Sequence, residues 1–189
     1  MMKKFLYLIF LMLLCSCGKT SDNNTQKDIK IPKEIMGITI GKTSKDQAIQ
    51  TLQEQGYYVI RLNSKIFGSI GNIYYGGITW ECLAVAVDDN KVRAIKFIKN
   101  IKNSKQLEEF DTISKVLMDK YQSLYIPGDP IIFEIGEDES EPTEYLFQDH
   151  NISLEFGQDL NKKRELILKL FYYETKYRDS FNKSVYEDL

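Results

Sequence analysis

"ITWECLAVAVDDNKVRAIKFI", residues 78–98, is the stretch whose reading decides the fold. Two runs of β-branched, aromatic and small apolar residues flank Asp88-Asp89-Asn90. Asp and Asn tolerate the left-handed backbone that a tight hairpin turn requires, so the stretch predicts two strands around a short turn. Strands joined so closely are antiparallel. Cys82 sits within the first apolar run. Its setting predicts a protonated, inert thiol acting as a small hydrophobe.

Moving towards the N-terminus, "KIFGSIGNIYYGG" (65–77) is glycine-punctuated and reads as an irregular or bulged strand. Before it, "MGITIGKTSKDQAIQTLQEQGYYVIRL" (36–62) reads strand, turn, helix, strand. Ser44 and Gln47 have capping-box spacing, Ala48, Ile49 and Leu52 form a short apolar face, and Gly56 is a helix stop. Moving the other way, residues 104–122 predict the clearest helix. Leu107, Phe110, Ile113, Leu117 and Tyr121 recur at three- and four-residue spacing, with Val116 beside them. "IPGDP" (126–130) ends it. "IIFEI", an acidic loop "GEDESEPTE", "YLFQD", "NISLEF" and "ELILKLFYY" then read as strands joined by turns. In the charged tail, Tyr173, Tyr177, Phe181 and Val185 lie four apart and suggest a terminal helix. The order predicts an α+β fold: an antiparallel sheet of meanders with helices packed on one face.

The N-terminus has a different character. Met1-Met2-Lys3-Lys4 is followed by an uncharged apolar run from Phe5 to Leu14. As a helix that run spans only about half of a bilayer's hydrocarbon core, too short to cross it. A basic start and a short apolar run describe a secretory signal peptide. Leu14-Cys15-Ser16-Cys17 resembles the bacterial lipobox, in which a Leu is followed two residues later by a small residue and then the lipid-accepting Cys. The resemblance implies cleavage between Ser16 and Cys17, removal of residues 1–16, and a covalent lipid, diacylglycerol and an N-acyl chain, on Cys17. Several acyl chains hold a protein on a membrane almost permanently. Cys15 would be lost with the signal, leaving Cys82 as the one thiol of the folded part. A Cys-x-Cys pair with no second pair makes neither a zinc site nor a disulfide framework.

The chain is thus expected to divide into a signal peptide (1–16), a lipidated polar tether (17–32) and a single domain (33–189). Without Lys3 and Lys4, basic and acidic residues number 23 and 27, a formal charge of −4. That mild, mixed balance makes no electrostatic case for nucleic acid or polybasic membrane docking.

The run "IMGITIGKTSKDQAIQTLQEQGY" (35–57), followed by a strand meander, resembles small lipoproteins of Gram-negative anaerobes. More distantly, it is similar to the helix-plus-meander fold of BamE/OmlA-type outer-membrane assembly lipoproteins and of β-lactamase-inhibitor-protein-like domains. The matching residues are Gly41 and Thr43, opening the helix that carries Ala48, Ile49 and Leu52. In the assembly lipoproteins a Gly-x-Pro closes that helix, whereas here Gly56 is followed by Tyr57-Tyr58. The resemblance covers about twenty residues plus element order, and it implies the fold more than the function.

Few residues carry chemistry. His150 is the single histidine, so one chain has no His-rich metal site and no HExxH motif. It lies in "FQDHNISL" (147–154), where Asp-His-Asn reads as an exposed turn; the sharper alternative is a base for Cys82 or a serine. No nucleophile elbow, P-loop or dinucleotide fingerprint occurs. Glu137, Asp138, Glu139, Glu141 and Glu144 lack the ligand spacing of a calcium loop and read as a solvated run. Asp111-Thr112-Ile113 looks like a short O-glycosylation motif of some Gram-negative anaerobes.

Twelve tyrosines include the pairs Tyr57-Tyr58, Tyr74-Tyr75 and Tyr172-Tyr173. Adjacent tyrosines on a strand put one ring on each face of a sheet; exposed ones offer area and a hydroxyl to a glycan or protein. Tyr74, Tyr75 and Trp80, beside Gly71, Gly76 and Gly77, are the candidate ligand-binding residues on an expected protruding loop.

Together these readings lead to a non-catalytic binding module on a lipid anchor, with no cofactor and no metal. Its expected place is the cell envelope, on the periplasmic side of the outer membrane, and its expected partner another envelope protein. A glycan- or small-ligand-binding lipoprotein using the Tyr/Trp surface is the alternative, and a hydrolase with unrecognised carboxylates a third.

Overall fold

A computed structural model of the chain describes residues 29–127, 144–160 and 166–177. The element order is β1 (Glu34–Ile35), β2 (Ile38–Thr39), α1 (Lys45–Glu54), β3 (Val59–Arg61), β4 (Ile66–Tyr75), β5 (Ile78–Asp88) and β6 (Lys91–Asn100). Then follow α2 (Ser104–Tyr121), β7 (Tyr125–Ile126), β8 (Glu144–Gln148), β9 (Ile152–Leu160) and β10 (Leu166–Glu174). Apart from the small β1–β2 ribbon, the strands form one antiparallel sheet in the order β3-β4-β5-β6-β10-β9-β8-β7. Two meanders, β3–β6 and β7–β10, are therefore welded along the β6–β10 seam. This is the α+β arrangement that the sequence predicts.

Local chemistry accounts for the joints. Asp89 and Asn90 both adopt positive φ, 48° and 56°, and close the β5–β6 hairpin with Asp88 opposite Lys91. Ser44 caps α1 by accepting from Gln47 N at 3.3 Å, while Gln47 Oε1 accepts from Ser44 N at 3.0 Å. The capping box is thus complete. The helix stops at Gly56, whose φ of 86° costs other residues dearly. Asn103 caps α2 through Gln106 N.

Both helices cover the same face of the sheet. Ala48 and Leu52 of α1 and Phe110 and Tyr121 of α2 pack with Phe67, Leu83, Val85, Ile95, Phe97, Leu154, Phe156, Leu168, Leu170 and Tyr172 in one core. Ile113 and Leu117 line its margin, whereas Val116 is exposed. Ile31, Ile35, Ile38 and Ile40 are also buried there, so the domain core reaches Ile31, ahead of the expected boundary at residue 33. Ile31 N donates to Asp149 Oδ2 at 3.1 Å, which fixes where the chain joins the domain.

Several expectations fall outside the described residues: the signal and lipid site (Ser16, Cys17), the strand at 131–135, the acidic residues Glu137 to Glu141, and the tail beyond Tyr177. Tyr173 lies in β10, where "ELILKLFYY" reads as a strand, and is fully buried; its four-residue spacing with Tyr177 therefore does not place it in a helix. Only a short 3₁₀ turn, Thr175–Tyr177, follows within the described residues.

Candidate functional site

The aromatic candidates do not form one surface. Gly76 and Gly77, at φ 62° and 81°, make a two-residue hairpin turn between Tyr75 and Ile78 rather than a protruding loop. The strands therefore continue to the turn and carry their side chains alternately. A register shift between Ile70 and Ile73, with Gly71 at φ 133°, swings the end of the hairpin so that Ile73, Tyr75 and Trp80 enter the core. Trp80 is fully buried, its Nε1 donating to Tyr75 O at 3.1 Å and its ring 5.6 Å from that of Phe97. Tyr75 stacks on Phe97 with centroids 4.5 Å apart, and its hydroxyl donates to Tyr172 Oη at 3.4 Å. Burial raises the pKa of Tyr75 and Tyr172. Tyr74 is exposed, Tyr75 half-buried and Trp80 fully buried. The expectation of a shared Tyr/Trp surface is corrected at Trp80, whose indole has no area left to offer a ligand.

A different surface emerges beside it. β3 pairs with β4 only at Phe67, Gly68 and Ser69. Among the described residues, the outer edge of β4 from Ile70 to Tyr75 has no strand partner. Six large hydrophobics are strongly exposed among the described residues, and three of them, Tyr58 (80 %), Ile70 (66 %) and Tyr74 (59 %), flank this edge. Sequence reasoning found Tyr74 but missed Tyr58 and Ile70. The doubled tyrosines were the available signal: Tyr57 and Tyr75 pack into the core while Tyr58 and Tyr74 face out.

His150 is exposed in the β8–β9 turn. Asp149 organises that turn, its Oδ1 accepting from Asn151 N at 2.7 Å and Ile152 N at 2.8 Å. β6 and β10 separate β5, which carries Cys82, from this region, so His150 is not a base for that thiol. Cys82 lies mid-strand opposite Ile70 and Ile98, and burial pushes its pKa up to about 11, against a small lowering by Lys96. That suits a protonated, inert thiol. Beside His150, an open cleft of about 180 Å³ is lined by Lys33, His150, Asn151, Glu174, Thr175 and Lys176, with Ile40 and Ile152 at its base.

The sheet face opposite α1 and α2 holds the buried charges. Lys96 (3 %), Glu155 (2 %) and Lys169 (7 %) lie there with Ala84, Ala86, Ala94, Phe171 and Tyr173. Tyr173 Oη donates to Glu155 Oε1 at 2.6 Å, Lys169 Nζ pairs with Glu144 Oε1 at 2.9 Å, and Lys96 Nζ sits 5.7 Å from the Phe171 ring centre. Glu144, read as part of an acidic loop, thus opens β8 and neutralises a buried lysine. Among the described residues no cluster of three or more His, Cys, Asp or Glu side chains could hold a metal ion. No helix there is long and apolar enough to cross a membrane.

No family model, curated protein or solved structure matches this chain.

Proposed function

We propose that the protein is a lipid-anchored binding module of the cell envelope. Cys17 would carry the acyl chains, residues 17–30 would form the tether, and the domain would hold another envelope protein at the periplasmic face of the outer membrane. The observation that carries the binding role is the β4 edge. Half of the strongly exposed large hydrophobics gather there, beside strand backbone with no partner among the described residues. Apolar area next to unpaired N–H and C=O groups is the surface to which a partner adds contacts and ladder hydrogen bonds. A glycan surface built on Trp80 loses its support, because the indole is buried.

The anchor and the edge are tested together. Cys17→Ala should abolish fatty-acid labelling and membrane retention; persistent label would sink the lipobox assignment. In the lipidated protein, a photo-crosslinking residue at Tyr74 should capture a discrete envelope protein, and one at Val116 should not. Ile70→Asp should remove the adduct while changing stability by no more than about 0.5 kcal/mol. Equal capture from both positions would overturn the edge as the binding surface.

A further inference from the structure

The place where the chain joins the domain carries an inference about which end faces the membrane, and it rests on the lipid-anchor reading. The 14 residues 17–30 lie between the expected lipid and Ile31. The expected polar tether would span about 20 Å on average. Asp149 pins Ile31 N beside the β8–β9 turn, so the corner holding His150 would be the part of the domain held nearest the bilayer.

That corner is the open cleft, and its charges are unequal in availability. Glu174 is neutralised by Arg93 Nη1 at 3.0 Å, with Lys176 Nζ a further 4.0 Å away. Asp149 is occupied by three backbone N–H groups, and Glu34 is exposed next to Lys33. Lys33 and His150 form no ion pair with any described residue, and Lys33, His150 and Lys176 are all exposed. Asn151 and Thr175 add polar groups to the lining, although the Asn151 carbonyl already accepts from Thr175 N at 3.1 Å. The cleft is large enough for a phosphate group, and its lining carries two lysines, Lys33 and Lys176, against one carboxylate, Glu174, which Arg93 already pairs closely.

We infer that this cleft receives the anionic headgroups of the membrane in which the protein is anchored, with Lys33 and Lys176 as the phosphate-binding cations. The anchor supplies residence, and the cleft supplies orientation: tethering holds the local headgroup concentration high, so two or three weak contacts suffice. The domain then stands with the β8–β9 turn towards the bilayer.

The test uses the full lipidated protein with Cys82 replaced by Ala and a fluorophore on a cysteine at Glu34 or, separately, at Val116. Vesicles of phosphatidylcholine alone or with phosphatidylglycerol carry a headgroup quencher. Quenching at position 34 should rise about threefold or more with phosphatidylglycerol and fall back in high salt. Lys33→Gln with Lys176→Gln should remove the rise, since each cation near an anionic surface contributes several-fold in partitioning. Quenching at 116 should stay low throughout. Equal quenching at 34 in both vesicle types, or a rise that survives the double substitution, would overturn the headgroup site. Failure of the protein to associate with phosphatidylcholine vesicles would instead overturn the anchor. The cleft would then still stand if phosphatidylglycerol vesicles bound the protein and the double substitution abolished that binding.

Discussion

The two faces of the sheet solve burial by different means. The helix-covered face is predominantly aliphatic and aromatic, with Ser69 as a buried polar residue, and α1 and α2 complete it with apolar stripes. The face opposite the two helices mixes alanines, two aromatic rings and three buried ionisable groups. On the first face stability comes from non-directional apolar burial, which tolerates exchange of similar volumes. On the second it depends on specific pairs, Lys169 with Glu144 and Tyr173 with Glu155, each of which turns costly when one partner is lost. The seam between β6 and β10 runs under both. A single strand such as β10 therefore sends Leu168, Leu170 and Tyr172 to one regime and Lys169, Phe171 and Tyr173 to the other.

The contrast can be broken first on the helix-covered side. Trp80→Ala removes the largest fully buried side chain and its hydrogen bond to Tyr75 O, and should cost about 4 kcal/mol in urea unfolding. A loss under about 2 kcal/mol would mean that the hairpin end stands apart from the core. On the other face, Glu155→Ala deprives the buried Tyr173 hydroxyl of its acceptor and should cost about 3 kcal/mol. Glu155→Gln, which keeps an acceptor, should recover at least half. Equal losses for Ala and Gln would show that charge rather than the hydrogen bond is what this face requires.

The smallest effect concerns Cys82, mid-strand in β5. The folded pKa of Cys82 is raised from an ordinary 9.0 to about 11, so the folded state favours the neutral thiol. Its contribution is complete below pH 9 and is lost as pH climbs towards 11, by up to about 2 kcal/mol. Tyr75 and Tyr172, raised by burial, extend the alkaline loss further. Stability measured against pH should fall across that window, and Cys82→Ala should flatten its lower part. A native thiol that reacts rapidly with a disulfide reagent at pH 8 would contradict the assignment.

Much of this architecture is legible along the chain. The Asp88-Asp89-Asn90 turn, the Ser44–Gln47 capping box, the Gly56 stop and the Phe110–Tyr121 stripe are local signals, and each appears where its spacing places it. The candidate site was less legible. Glycines around Tyr74 and Trp80 suggested a loop, but a Gly-Gly hairpin turn uses the same residues for a sharp reversal. Whether Trp80 faces in or out is then decided by a one-residue bulge between Ile70 and Ile73 that composition does not announce.

What the sequence determined by itself is what local backbone chemistry and periodicity control: turns, caps, helix faces, the antiparallel order, and the lipobox-like Leu14-Cys15-Ser16-Cys17 that frames the expected anchor. Only the tertiary structure decided which meander edge lacks a strand partner among the described residues, that Lys96, Glu155 and Lys169 are buried, and that Ile31 is pinned beside His150. Those outcomes depend on partners brought together across strands, from Tyr173 with Glu155, 18 residues apart, to Ile31 with Asp149, 118 apart. Burial and pairing are properties of what surrounds a side chain in space, and periodicity along the chain carries no record of it.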